Sequence, residues 1–137
     1  MLLDSNVIIG AAKPGGEHLS AYLNHPDASV SIISRIESLG FHRLTTAEET
    51  QIADSLKLLP ELPLDDEIAL RAIGLRQQKN MKLGDAIIGA TAQEYGVPLV
   101  TRNVDDFKHI PGLQIINPLP PPPDDETGAI AEKMAGK

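Results

Sequence analysis

The sequence predicts an α/β domain of three layers, in which helices flank both faces of a mostly parallel central sheet. Short aliphatic segments of strand type alternate along the chain with longer segments of helical period. Strands that are joined through helices of this length form right-handed crossovers, and their parallel sheet is covered on both faces. A length of 137 residues with 42% apolar content fits one such domain.

Four aliphatic segments are predicted as strands. They are residues 1–3, 28–33, 97–100 and 113–116. The first strand ends at Asp4, and the second is rich in β-branched residues. We expect residues 62–64 to be a short extended link and residues 101–107, directly after the third strand, to be a polar loop.

Five segments have the spacing or the end signals of helices. They begin at Glu17, Ser34, Thr45 or Thr46, Asp65 or Asp66, and Leu83, and they end near Asn24, Phe41, Leu59, Lys79 and Tyr95. The third has a capping-box pattern, with Glu48 or Glu49 three residues after a threonine. The fourth is expected to bury an apolar face of Ile68, Ala69, Ala72, Ile73 and Leu75. The fifth is closed by Gly96, with Pro98 beyond it.

The composition changes after Asn117. Residues 118–137 begin with a proline-rich stretch and continue with acidic and small residues. Because a polyproline stretch cannot join a sheet or a helix interior, we expect an extended or disordered tail or a partner-binding arm. The folded domain is therefore predicted to span residues 1–117.

Several classes of protein are disfavoured by composition. The chain has no cysteine, which excludes disulfides and thiolate metal sites. Only two tyrosines, two phenylalanines and no tryptophan are present, so an aromatic base-stacking platform is not expected. The N-terminus lacks a basic signal-peptide region, and no apolar run approaches the ~20 residues of a membrane span. We expect a soluble, cytoplasmic protein that does not enter a membrane.

The net charge of −7 disfavours a polyanionic partner unless several of the acids converge on a metal ion. Such a convergence is predicted, because ligands bind at the carboxyl ends of parallel strands. Acids from separate elements reach that edge: Asp4, Glu37, Asp85, and Asp105 with Asp106. Each also has a structural explanation, as a helix cap for Asp4 or Asp85, a solvated helix residue for Glu37, and turn formers for the pair.

Clustered carboxylates repel each other unless they are protonated or bridged by a cation. A site of oxygen ligands without cysteine suits Mg²⁺ or Mn²⁺, and such an ion can activate water beside a phosphate. The chemistry implied is metal-assisted hydrolysis of a phosphodiester. The four histidines lack metal-ligand spacing and are interpreted as surface or turn residues: His18, His25, His42 and His109.

Five sequence blocks in this order resemble the PIN-domain family, most closely the VapC-type ribonuclease toxins of toxin–antitoxin pairs. The blocks are LLDSNVII, SIISRIESLGF, LPL, KLGDAIIGATAQEYGVPLVTRNVDDF and INP, and they span residues 1–118. The resemblance implies a parallel sheet with flanking helices, dependence on Mg²⁺ or Mn²⁺, and endonucleolytic cleavage of RNA. It also implies a homodimer and an antitoxin partner that lays a helix or an extended arm over the active-site groove.

By motif position, the resemblance matches Asp4, Glu37 and Asp85 to the three core acids of the family. Many relatives have an acid where this chain has Asn103, so Asp106 is expected to be the fourth acid, with Asp105 as the alternative. In these roles Asp4 and Asp85 would hold a metal, assisted by Asp106. Glu37 would orient or deprotonate the attacking water, or help to hold a second ion.

Other residues receive supporting roles from the same resemblance. Ser5 and Thr101 would hydrogen-bond the carboxylates or a phosphate, and Asn103 would be a neutral polar contact. The basic residues near these segments are candidate RNA contacts: Lys13, Arg35, Lys82 and Arg102. Two alternatives stay open, a housekeeping PIN nuclease for RNA processing or DNA, and a PIN module that binds RNA without cutting it. A phosphoacceptor signalling domain is disfavoured, because Asp4 has no adjacent acid.

Overall fold

The computed structural model describes residues 1–119, which form five short strands and six α-helices. The strands are β1 (Leu2–Leu3), β2 (Val30–Ser31), β3 (Glu61–Leu62), β4 (Leu99–Val100) and β5 (Ile115–Ile116). The helices are α1 (Ser5–Ala12), α2 (Glu17–Leu23), α3 (Ile32–Leu39), α4 (Thr46–Lys57), α5 (Asp66–Gln78) and α6 (Leu83–Tyr95). A short 3₁₀ helix covers Val104–Asp106.

All five strands run parallel, with β1 at the centre of the sheet. One sheet has the order β1-β4-β5 and a second pairs β2 with β3. A parallel bridge between Leu2 and Ser29 joins the two, giving the overall order β3-β2-β1-β4-β5. The predicted parallel α/β architecture is confirmed.

Adjacent residues of a strand face opposite sides of the sheet. Because each strand here is only two residues long, it places one residue on each side. Leu2 and Leu99 pack with α5 and α6 in one apolar cluster. Leu3 and Val100 pack in a second cluster with residues of α1, α2 and α4. The fold therefore has a helical layer on each face of the sheet, as predicted.

Two elements near the N-terminus differ from the sequence prediction. Helix α1 was not predicted, because its β-branched residues have modest helix propensity; burial of Val7 and Ile8 outweighs that preference. The second strand was predicted to reach residue 33, but helix α3 begins at Ile32. Ser31 causes the early turn into a helix, since its side chain accepts a hydrogen bond from the Ser34 backbone N–H at 3.1 Å.

Three later differences concern shorter features. The segment predicted as a link contains a true strand, because β3 pairs with β2. Ile73 was expected to be buried but is 53% exposed. The loop predicted at 101–107 contains the 3₁₀ turn and ends at Phe107, which is fully buried.

The remaining helix predictions are confirmed within a few residues. The capping box is formed by Thr45 and Glu48, whose side chains bond each other's backbone N–H. Gly96 ends α6 in the left-handed conformation, with a φ of 63°. Most of the predicted tail, residues 120–137, lies outside the described residues. No helix in residues 1–119 is long and apolar enough to cross a membrane.

Phe107 anchors the segment after β4, and its removal tests how much that segment depends on the core. We expect Phe107→Ala to lower the free energy of unfolding by about 3–5 kcal/mol, because it empties a fully buried aromatic site. The measurement is urea unfolding followed by circular dichroism. Tyr95→Ala, at a side chain that is 42% exposed, is the control and should cost much less. Equal losses in the two variants would contradict the anchoring role.

Candidate active site

The candidate site lies where the direction of strand order reverses. From β1 the chain builds β2 and β3 on one side of the sheet and later adds β4 and β5 on the other. Asp4 directly follows β1, and Thr101 directly follows the neighbouring β4. The carboxyl ends of these two strands therefore form the crevice in which parallel α/β sheets bind their ligands.

Asp4 is the most buried acid of this crevice, with 4% of its surface exposed. Its Oδ1 accepts the Ser5 backbone N–H at 2.8 Å, and its Oδ2 accepts the Thr101 hydroxyl at 2.8 Å. Burial raises the pKa of Asp4, while the hydrogen bonds from Thr101 and Ser5 oppose that rise. Asp4 is thus both the N-cap of α1 and a residue of the candidate site, so the two interpretations are compatible.

Asp85 lies in the first turn of α6 and does not cap it, since the N-cap position is Lys82. Partial burial, and then the negative charges of Asp4, Asp106 and Glu37, raise the pKa of Asp85 to about 6. The N-terminal end of a helix favours an ionised carboxylate. Burial of Asp85 and the charges of three neighbouring acids act in the opposite direction.

Glu37 reaches the site from α3. Partial burial raises the pKa of its carboxyl group; an interaction with the Ser5 hydroxyl opposes the rise, and the charge of Asp4 adds to it. The approach of α3 to α6 is close, because a Cβ placed on Gly84 would lie 2.9 Å from Glu37 Oε2. A glycine at this position of α6 leaves room for the glutamate carboxylate beside Asp85.

The two acids of the 3₁₀ turn have different surroundings. The charge of Asp106 acts on the pKa of both Asp4 and Asp85. Asp105 has a side chain that is 87% exposed, and it forms an ion pair with Lys108 at 3.0 Å. Both acids are exposed and line the same cavity, but only Asp106 is among the charges that raise the pKa of Asp4 and Asp85. The backbone N–H of Asn103 donates to the Thr101 hydroxyl at 3.0 Å.

The four candidate RNA contacts also differ in their surroundings. The positive charge of Lys82 lowers the pKa of Asp85 and Glu37, which places it at the acidic cluster. Arg102 is exposed and directly follows Thr101. By contrast, Lys13 is paired with Glu48 at 2.7 Å and Arg35 is paired with Glu61. The structure thus brings the charge of Lys82 to the acidic cluster, whereas the Arg102 guanidinium lies near Gly10 of α1.

Asn6 is a site residue that the sequence reasoning did not assign. Its Nδ2 donates to Asp4 Oδ2 at 3.4 Å and to Thr101 Oγ1 at 3.3 Å, while its Oδ1 accepts the Arg102 backbone N–H at 3.2 Å. It therefore connects the first turn of α1 with the loop after β4. The only sequence signal was its place two residues after Asp4, at the end of a strand.

One of the histidine interpretations needs correction. His25 is exposed and accepts a turn hydrogen bond from Asp27, and His109 lies in the turn after the 3₁₀ helix, both as expected. His18 instead lies in helix α2 and is half-buried. Buried ring nitrogens of His18 and His109 have no hydrogen-bond partner within residues 1–119. His109 lies with Lys79 and the acids Asp85, Asp105 and Asp106 around a cavity of about 330 Å³.

The acidic side chains approach one another but do not enclose a single metal position. Within residues 1–119, no three carboxylate or imidazole groups lie close enough to enclose a metal ion by themselves. The donors nevertheless have the chemistry that Mg²⁺ and Mn²⁺ prefer, since they are carboxylates. Mg²⁺ usually keeps several waters, so an open set of carboxylates fits it better than a closed cage.

Comparison with known proteins identifies the family. The PIN domain matches residues 1–113, which is most of the chain. The chain belongs to the PIN-domain family. A comparison with proteins of curated function gives no match.

Solved structures of the same fold include several toxin–antitoxin complexes. A chain of a toxin–antitoxin complex from Klebsiella pneumoniae is 32% identical, with a TM-score of 0.71, covering 86% of this chain and 97% of that one. A chain of DNA-bound VapBC from Salmonella typhimurium is 25% identical, with a TM-score of 0.71 and the same two coverages, 86% and 97%. A chain of FitAcB from Neisseria gonorrhoeae shares the fold at 23% identity, with a TM-score of 0.68, covering 85% of this chain and 96% of that one.

The resemblance drawn from the sequence is thereby confirmed at the level of the family. The PIN match supports a nuclease, and the structural neighbours are toxin–antitoxin complexes, VapBC among them. The assignment of individual site residues comes from the motif positions and the geometry described above.

Burial of Asp85 and repulsion from its neighbouring acids should destabilise the protein when Asp85 is ionised, and Asp85→Asn tests this. The raised pKa of Asp85 means that its ionisation opposes folding; the penalty is absent below pH ~4 and complete above pH ~6. We expect Asp85→Asn to raise the Tm in EDTA by a few degrees at pH 7.5 and by much less at pH 4.5. The measurement is differential scanning calorimetry at both pH values.

Asp105→Asn is the matched control, because it removes an acid of the same region that is largely exposed. It should leave the Tm nearly unchanged at both pH values. A pH-independent effect of Asp85→Asn, or an equal gain from Asp105→Asn, would contradict the unfavourable ionisation of Asp85 as the cause.

Proposed function

We propose that this chain is a metal-dependent endoribonuclease, which acts in the cytoplasm as the toxin of a toxin–antitoxin pair. The observation that carries the proposal is the convergence of Asp4, Glu37, Asp85 and Asp106 at the switch point of a PIN-domain sheet. Raised pKa values in a crevice are typical of functional sites. A neighbour that is 32% identical and belongs to a toxin–antitoxin complex supports the biological role.

Asp4 and Asp85 would hold a Mg²⁺ or Mn²⁺ ion, with Asp106 acting through water. Three features support this fit: the donors are oxygen atoms, they come from different elements, and burial together with their mutual repulsion raises the pKa of Asp85. A divalent cation relieves that repulsion and would stabilise the charge that builds on the phosphate under attack. Thr101 and the Ser5 backbone hold the Asp4 carboxylate in position.

Glu37 is the proposed general base. Its carboxylate is partly desolvated, with a raised pKa, so it can accept a proton from an attacking water. The water oxygen forms a bond to phosphorus as the bond to the leaving ribose oxygen breaks, and that oxygen takes a proton from solvent. Lys82, which is close enough to act on the pKa of Asp85 and Glu37, would balance the phosphate charge.

An antitoxin is the proposed protein partner. A net charge of −7 and an acidic crevice would attract a basic segment of such a partner, which would block the site by charge neutralisation. We further propose a homodimer, as the family resemblance implies, and a folded nuclease domain of residues 1–117 with an extended tail at 118–137.

The direct test is cleavage of a structured RNA pool by the purified chain in Mg²⁺, Mn²⁺ or EDTA. We expect cutting in at least one of the two ions and none in EDTA. Glu37→Gln should reduce the rate by ~10²–10⁴, the usual contribution of a general base, and Asp4→Asn and Asp85→Asn should abolish cutting. Circular dichroism and Tm values establish that each variant is folded.

Three results would overturn this function. One is an inert wild-type chain in both ions after removal of any bound partner. Another is cutting that survives Asp85→Asn, which would indicate a contaminating nuclease. Cutting of DNA in preference to RNA would favour a different PIN nuclease.

Gly84 gives a second test, directed at the position of Glu37. The Cβ of Gly84→Ala would lie 2.9 Å from Glu37 Oε2, so the flexible glutamate has to move while the helix backbone stays. We expect the cleavage rate to fall roughly ten- to hundredfold, since small displacements of catalytic groups have such effects. The Tm should not fall, because alanine favours a helix over glycine.

The matched control is Gly74→Ala in helix α5, where an added Cβ meets nothing within 4 Å. It should keep wild-type cleavage and gain slightly in stability. If both alanine variants cut at the wild-type rate, the cleavage rate does not depend on the present position of the Glu37 carboxylate.

A further inference from the structure

A second cavity lies beside the acidic site and has a different character. Its volume is about 460 Å³, within the range of ~300–1,000 Å³ that is usual for small-molecule sites. Most of its lining surface is apolar, with contributions from Ile9, Leu19 and Phe41. The residues of this lining come mainly from α1, from the turn after it and from the start of α2. We call it the α1–α2 cavity.

The α1–α2 cavity is continuous with the acidic site through one side chain. Asn6 lines the cavity and also donates hydrogen bonds to Asp4 and Thr101, at 3.4 and 3.3 Å. Arg102 lines it too, and its backbone N–H bonds the Asn6 side chain at 3.2 Å. A strand of nucleic acid whose phosphate lies at Asp4 would therefore have a neighbouring nucleotide at this cavity.

The charges of the cavity favour an anionic ligand. Lys13 and Arg102 line it, and no carboxylate does so among the described residues. Lys13 is held by Glu48 at 2.7 Å and lies 5.7 Å from the Phe41 ring centroid. Arg102 forms no ion pair within residues 1–119, and its guanidinium is free for a phosphate.

His18 adds a polar group to this mainly apolar cavity. It lies in the lining, and its buried Nε2 has no hydrogen-bond partner within residues 1–119. Buried polar atoms normally have partners, so this one calls for a donor or acceptor that a ligand would supply. A nucleobase offers both an apolar face for Phe41 and polar edges for an imidazole.

We infer that the α1–α2 cavity binds the base of one nucleotide next to the cut phosphate of a single-stranded RNA, with Arg102 on the adjoining phosphate. This inference rests on the proposed ribonuclease function and adds a base-reading subsite to it. Phe41 provides the apolar wall and His18 the polar edge. The cavity then sets which base is preferred beside the cut.

The test measures RNA binding separately from cutting. Fluorescein-labelled single-stranded RNAs, one homopolymer for each base, are titrated by fluorescence anisotropy against the Asp85→Asn chain. Phe41→Leu on this background should weaken binding at least fivefold for the preferred base and reduce the difference between bases. Arg102→Gln should weaken all four homopolymers equally and reduce the salt slope by about one. Tyr95→Leu, at the other end of α6, is the matched control and should bind like its parent.

The two proposals fail in different ways when cutting by the otherwise wild-type chain is measured in parallel. If RNA is cut but Phe41→Leu binds every homopolymer as Tyr95→Leu does, the subsite is overturned and the nuclease stands. If RNA is not cut but binding depends on Phe41 and Arg102, the nuclease falls and the nucleotide subsite stands. If Arg102→Gln, an exposed change that should fold, leaves affinity and salt slope unchanged, the subsite is again overturned. In the two outcomes that overturn the subsite, an apolar side chain of a protein partner becomes the alternative occupant of the α1–α2 cavity.

Discussion

The buried carboxylate of Asp4 is the interaction on which the rest of the structure depends. It ends the central strand, begins helix α1, and accepts hydrogen bonds from the Ser5 backbone and the Thr101 hydroxyl. One side chain thus joins β1, α1 and the end of β4. Because its polar atoms are satisfied by the fold, Asp4 can stay buried in a place where other acids gather.

The cluster of acids lowers the stability of the fold. Asp85 and Glu37 are carried by helices that pack closely, and their ionisation is opposed by burial and by neighbouring acids, Asp4 among them. The fold resists this repulsion with two apolar clusters, one on each face of the sheet. The divalent cation proposed for this site would relieve the repulsion, so the charges that destabilise the fold would favour binding of that cation.

Much of this arrangement was predictable from sequence, and the failures have physical causes. Aliphatic segments ending at Asp4 and before Thr101 predicted the edge of the sheet, and the capping box at Thr45 predicted its helix. Helix α1 was missed because tertiary burial outweighs propensity. The sequence indicated that acids would gather around Asp85, but the rise in its pKa depends on burial and on distances between separate elements, which only the packed fold defines. Asn6 and the α1–α2 cavity depend on contacts between residues distant in the chain, which no local pattern reveals.

The two-residue strands have a consequence for how the chain can vary. Each strand contributes only one side chain to each face of the sheet. A shift of one residue in register would therefore change every side-chain contact that the strand makes. A deletion or insertion within β1 or β4 would exchange the faces of Leu2 and Leu3, or of Leu99 and Val100, and would turn Asp4 or Thr101 away from the crevice. We therefore expect changes in length to be tolerated better in the turns at the opposite end of the sheet, such as residues 24–27. The distance between Asp4 and Thr101 in the crevice is therefore fixed by the lengths of β1 and β4.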